Sequence, residues 1–223
     1  MHLVYINPNA TIAMTQSVVT TARAYFPGGR ISGLTNTDGP PAIQGPQDGV
    51  AAVPGLLHLV SKAQAMGADA IVIACFDDTG LAEARSAARC PVLGIGQSSY
   101  VMAHLLGARF SVVTSLEVSV PVIRTNIERT GFANSCASVR ASGLPVLEID
   151  AGGEVARVRL ADEIQLARDQ DGATAVVLGC AGMAPLWADL TKRTQIPLID
   201  GVASSAQLAD SIVRYQERYL SRG

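Results

Sequence analysis

Two cysteines, Cys75 and Cys180, close short apolar runs that read as buried strands, "ADAIVIAC" and "ATAVVLGC". One such cysteine is simple packing, because a thiol behaves as a small hydrophobe. Two thiols at equivalent places can instead act as a base and an acid on opposite sides of one pocket. If one thiolate takes a proton from carbon and the opposite thiol delivers one to the other face, the stereocentre inverts. Each cysteine precedes a turn and a helix, whose positive end would lower the thiol pKa.

The equivalence is written in the chain. "GADAIVIAC" (residues 67–75) matches "GATAVVLGC" (172–180) without a gap at a spacing of 105. "CPVLGIGQSS" (90–99) matches "IPLIDGVASS" (196–205) at 106, and "VYIN" (4–7) matches "SVVT" (111–114) at 107. Three blocks in one order imply an internal duplication of two α/β halves. Asn7 and Thr114 are then a second pair of equivalent strand ends. Cys90 pairs with Ile196, and Cys136 has no equivalent thiol, so both are read as structural.

The elements that must position these residues follow from periodicity. "HLVYIN" is a strand, followed by a helix from 10–12 to 26; "RISGLTN" is a strand, followed by a Gly/Pro loop and a helix with Pro54 in its first turn. "ADAIVIACF" leads to a helix over 81–88, and "PVLGIG" to one over 98–106. The order then restarts, with strands at "RFSVVTS", "CASVRASG", "ATAVVLGC" and "PLIDGV" and helices over 117–129, 153–168, 185–193 and 204–219. Strands alternating with helices imply parallel sheets flanked by helices, whose ligands bind outside the carboxyl ends of the strands. The division expected is residues 1–97 plus a C-terminal helix at 204–223 for the first half and 98–203 for the second, with the active site in the cleft between them.

Removing a proton beside a carbonyl leaves an enolate that needs N–H and O–H donors. Candidates are the amides of Phe76, Ala181 and Gly182, with Asn7, Thr114 and Ser115. Thr114 and Ser115 equally suit the start of the next helix, as do Asp77 and Asp78. Ile43, in the loop "DGPPAIQG", is the candidate apolar contact with a substrate's substituent.

Composition narrows the chemistry further. Of 223 residues, 48% are apolar and 16% charged, with a net charge of −2 and no basic stripe, so nucleic acid is not an expected partner. No run reaches the roughly 18 apolar residues that cross a bilayer, so neither a membrane partner nor a targeting segment is expected and a cytoplasmic location is. The four cysteines contain no CxxC, and the histidines (His2, His58 and His104) have no zinc-ligand spacing, so free thiols and no metal are expected. There is no GxGxxG and no Walker A loop, and no cofactor is expected.

The motifs "INPN" at 6–9, "GPPAIQG" at 39–45, "ACFDDTGL" at 74–81 and "GCAGM" at 179–183 resemble the hydantoin and allantoin racemase branch of the aspartate/glutamate racemase superfamily. The resemblance covers almost the whole chain. It implies two flavodoxin-like halves, a homo-oligomer and cofactor-independent racemisation of a small cyclic ureide. Carried over, it makes Cys75 and Cys180 the acid/base pair and puts Asn7, Phe76, Thr114, Ser115 and Gly182 where substrate is held. The superfamily's amino-acid racemases usually place Asn-Thr or Thr-Glu/His after their cysteines, and Phe76 and Ala181 depart from that pattern. Two alternatives stay open: a decarboxylase or cis-trans isomerase of the same architecture, which relies on one cysteine, and a two-lobed ligand-binding or thiol-redox protein without turnover.

Overall fold

The computed structural model describes residues 1–219. Eight strands form two four-stranded parallel sheets. The first is built from β1 (His2–Asn7), β2 (Arg30–Thr35), β3 (Ala70–Ile73) and β4 (Val92–Gly94) in the order β2-β1-β3-β4. The second, from β5 (Phe110–Thr114), β6 (Cys136–Ala141), β7 (Ala175–Leu178) and β8 (Leu198–Asp200), repeats it as β6-β5-β7-β8. The registers repeat as well: Leu3 pairs with Ala70 in one sheet and Phe110 with Ala175 in the other.

The central strands β1, β3, β5 and β7 are buried along their whole length and largely apolar because both faces are covered. Leu3 and Tyr5 of β1, Val72 of β3, Phe110 and Val112 of β5 and Val177 of β7 point into one core shared by the two sheets. That core is filled by α1 (Ile12–Tyr25), α4 (Ile95–Leu105), α5 (Val120–Arg129) and α9 (Gly201–Tyr219). The alternate residues Val4, Ile6, Ile71 and Ile73 pack outward beneath α2 (Pro46–Ala65) and α3 (Leu81–Ala87). In the second sheet Val113, Val176 and Leu178 do the same beneath α7 (Glu154–Asp169) and α8 (Trp187–Thr194). The last helix of each repeat reaches across: α4 packs on β7 and β8, and α9 on β3 and β4.

Several boundaries differ from the sequence expectation. The second helix begins at Pro46, so Pro54 lies inside it. The start signal sits at Pro46, at the first helical position, and Asp48 of the first turn accepts a hydrogen bond from the Gln44 amide at 3.0 Å. Helix α4 starts at Ile95 because Asp78 accepts from the Gly96 and Gln97 amides at 3.0 and 2.7 Å. Asp78 thus caps α4, whereas α3, the helix it was expected to start, follows Gly80. Asp200 supports α9 in the same way, accepting from the Val202 amide at 2.9 Å. The helices expected at 117 and 185 each open with a 3-10 turn, Glu117–Ser119 and Ala181–Leu186. The short α6 (Val146–Ala151), absent from the sequence reading, buries Val146 and Ile149. Of the C-terminal helix expected over 204–223, residues 220–223 lie outside the described residues.

Candidate active site

Strands β3 and β7 end at equivalent points, and Cys75 and Cys180 follow them. Both line one cavity of about 30 Å³. That is room for about two waters in a pocket partly open to solvent.

Each thiol sits in a matched turn. The Cys75 sulfur accepts the amide of Asp77 and lies 3.4 Å from the Thr79 hydroxyl. The Cys180 sulfur accepts the amide of Gly182. The turn after Cys75 is closed by the Asp78 amide donating to the Cys75 carbonyl at 3.0 Å, with Asp78 held at φ 50°. After Cys180 the Met183 amide donates to the Cys180 carbonyl at 3.0 Å.

The electrostatics correct one expectation. Burial pushes the Cys75 thiol well up, and the Asp77 carboxylate pushes it further, against the Thr79 and Asp77 hydrogen bonds. Burial pushes Cys180 up to about 12, against the Gly182 amide and with a further rise from Asp77 and Asp150. Both thiols are therefore protonated at rest near neutral pH. The 3-10 turn starts directly after Cys180, whereas α3 starts six residues beyond Cys75, so only Cys180 adjoins a helical start.

Phe76 and Ala181 line the cavity beside the two cysteines, and their backbone amides have no acceptor among the described residues. The Phe76 ring itself belongs to the shared core, edge-on to Tyr100 with centroids 5.8 Å apart. Thr114 and Ser115 line the cavity from the end of β5. The Thr114 hydroxyl is engaged with the Gly179 carbonyl at 2.9 Å, but those of Ser115 and Ser119 have no partner among the described residues. Ile43 lines the opposite side, in a loop hydrogen-bonded to both halves: the Thr11 hydroxyl donates to Pro41 at 2.7 Å and the Val146 amide donates to Gln44 Oε1 at 3.0 Å.

Two of the residues expected to hold substrate do not line this cavity. Asn7 is off the cavity wall, its side chain donating to Asn9 Oδ1, the Thr11 carbonyl and Thr15 Oγ1 at 2.8, 3.1 and 3.1 Å. It shapes the turn that brings Asn9 to the cavity. Gly182 is also off the wall and packs against Asp150, contributing its amide to Cys180 instead. Asn9, Met14, Asp77, Ser119 and Val146 line the cavity without having been singled out as contacts. For Val146 the available signal was Pro145 followed by apolar residues at Val146 and Ile149, a helix start with one buried face. Among the described residues no group of three or more His, Cys, Asp or Glu side chains could hold a metal.

Comparisons with known proteins point the same way as this geometry. The chain is 41% identical over 217 residues to a hydantoin racemase of Rhizobium meliloti, covering 96% of this chain and 89% of that one. It is 35% identical over 214 residues to a hydantoin racemase of Pseudomonas sp. (strain NS671), covering 96% and 86%. Among solved structures, allantoin racemase from Klebsiella pneumoniae superposes with a TM-score of 0.91 at 36% identity, covering 96% of this chain and 88% of that one. Residues 3–209 match the family described as Asp/Glu/hydantoin racemase, and the chain belongs to that family.

Proposed function

We propose that the protein is an isomerase: a cofactor-independent racemase of 5-substituted hydantoins or allantoin that moves a proton between Cys75 and Cys180. The observation that carries this reading is that the two thiols, each following the same strand of its own half, line one cavity. The chiral ring carbon of such a ureide bears a hydrogen beside a carbonyl. The thiolate of one cysteine takes that proton and becomes a thiol, leaving an enolate. The opposite thiol then gives its proton to the other face and becomes the thiolate, so atoms and charge balance and the enzyme is left ready for the reverse direction.

The enolate oxygen needs donors already in place. The free amides of Phe76 and Ala181, with the hydroxyls of Ser115 and Ser119, supply them. The raised thiol pKa values make each thiolate scarce but strongly basic, which suits a weakly acidic carbon. Among the residues lining the cavity there is no Lys, Arg or His to pair with a carboxylate, which favours a neutral ring over a free amino acid.

A cytoplasmic homo-oligomer remains part of the proposal. It is supported by four free cysteines and by exposed apolar side chains such as Leu105, Leu106 and Tyr215. No helix among the described residues is long and apolar enough to cross a membrane. The division at residues 97 and 98, with the C-terminal helix counted with the first half, is likewise proposed, supported by the packing of α9 on β3 and β4.

Polarimetry of single-enantiomer hydantoins and allantoin with purified protein and no added cofactor tests the function. Decay of rotation to zero without any change in composition is expected. Unchanged rotation for every ring offered, or release of carbon dioxide, contradicts it.

A further inference from the structure

The cavity contains one ionisable side chain besides its thiols, and the duplication does not account for it. Asp77 stands two residues after Cys75, where the other half has Gly182. Its backbone carbonyl accepts from the Asn126 side-chain Nδ2 across the halves at 2.8 Å, while its carboxylate has no hydrogen-bond partner among the described residues. The same residue lines a larger neighbouring cavity bounded by α2, α3 and α5, so it stands between the thiols and a wider opening.

From this geometry, and resting on the racemase reading above, we infer that Asp77 determines the substrate class by accepting a ring N–H of the cyclic ureide and repelling carboxylate-bearing competitors. The apolar wall of Met14, Ile43 and Val146 can offer such a ring no acceptor. The free amides only donate, and the Ser115 and Ser119 hydroxyls, neutral groups that donate or accept, suit the carbonyl and enolate oxygens; Asp77 is the one charged acceptor on the wall. A ureide ring carries both kinds of group, oxygens that accept and N–H groups that donate, and Asp77 supplies the complementary acceptor. Burial with no donor nearby raises the Asp77 carboxyl to about 7, and a substrate N–H would meet the missing partner. Above about pH 7, where Asp77 is ionised, a ring-opened carbamoyl amino acid brings a second negative charge to a site with no lining cation, and is excluded by it.

The test crosses substrate changes with protein changes. Racemisation of a 5-substituted hydantoin and of its N1-methyl and N3-methyl derivatives is measured with the wild type, Asp77→Ala and Asp77→Asn. A hydrogen bond to a charged acceptor should make kcat/KM of the parent ring fall about 10- to 100-fold in Asp77→Ala. Methylation of the engaged nitrogen should lower wild-type kcat/KM by a similar factor but leave Asp77→Ala unaffected. Asp77→Asn, a neutral acceptor, should keep part of the activity and become inhibited by the carbamoyl amino acid. If the wild type racemises the parent ring but the two losses multiply instead of overlapping, or the variants keep wild-type KM, the role of Asp77 is overturned and the thiol pair stands. If the wild type racemises and exchanges no ureide, the racemase reading itself falls.

Discussion

Gln44, in the loop after β2, accepts a 3.0 Å hydrogen bond from the backbone amide of Val146 and so ties the two halves together over the cysteine cavity. Ile43, next to Gln44, and Val146 itself line that cavity. Replacing Gln44 by alanine should speed hydrogen exchange of the Val146 amide by about five- to tenfold, the loss of one net hydrogen bond. Amides of β1 and β5 should keep their protection. Unchanged exchange at Val146 would mean that the loop is held shut by its other contacts.

Gly94 and Gly96 leave the space that the Asp78 side chain occupies. A Cβ at Gly94 would collide with the Asp78 carboxylate, and one at Gly96 would meet the Phe76 carbonyl and the same carboxylate. Alanine at Gly94 should therefore destabilise the fold by about 2 kcal/mol or more in urea unfolding, because it displaces the cap of α4 as well as adding a clash. A loss below about 0.5 kcal/mol would show that the turn after Cys75 shifts freely.

Asp78 also links stability to pH. Burial raises its carboxyl from 3.8 to about 7, despite the Gln97 and Gly96 amides that favour its charge. The folded state thus holds a proton that the unfolded chain has already released between these values. Stability from this group is full below about pH 4 and is lost as pH rises through about 7, by at most about 4 kcal/mol. The fall in Tm between pH 5 and pH 8 should be shallower in Asp78→Asn than in the wild type. An equal slope would remove Asp78 as its source.

Much of the fold was legible because duplication writes each core strand twice. Cys75 and Cys180 could be paired from sequence alone by their gapless blocks, and Thr114 and Ser115 by their place at the end of β5. Long-range geometry was not legible. Asp78 looks like the start of its own local helix, yet from a left-handed turn at φ 50° it caps α4 some 18 residues on. Asn7 has the side chain of a substrate ligand, but its donors are consumed by the neighbouring turn. The thiol pKa values ran opposite to the local expectation because they depend on burial by both halves, which no single stretch of chain records.

The raised thiols predict an alkaline reactivity profile. With Cys180 near 12 and Cys75 pushed well up by burial and Asp77, inactivation by iodoacetamide should accelerate about tenfold per pH unit from pH 6 to 9. A plateau beginning near pH 7 would show that a thiolate is already formed at rest.

Activity should also survive exhaustive dialysis against chelator, since proton transfer between two thiols needs no metal. Loss of activity to chelator with recovery on adding a divalent metal would contradict the proposed two-thiol chemistry.

The most direct test of the paired-thiol account follows each face of the substrate separately. Exchange of the ring C–H for solvent deuterium is measured for each enantiomer with Cys75→Ser and Cys180→Ser. Serine is a far weaker base at neutral pH, so each variant should lose exchange of one enantiomer and retain it for the other, with reciprocal preferences. Racemisation needs both thiols and should fall about a thousandfold or more in both variants. A single variant that racemises at the wild-type rate, or two variants that lose exchange of the same enantiomer, would contradict proton transfer between Cys75 and Cys180.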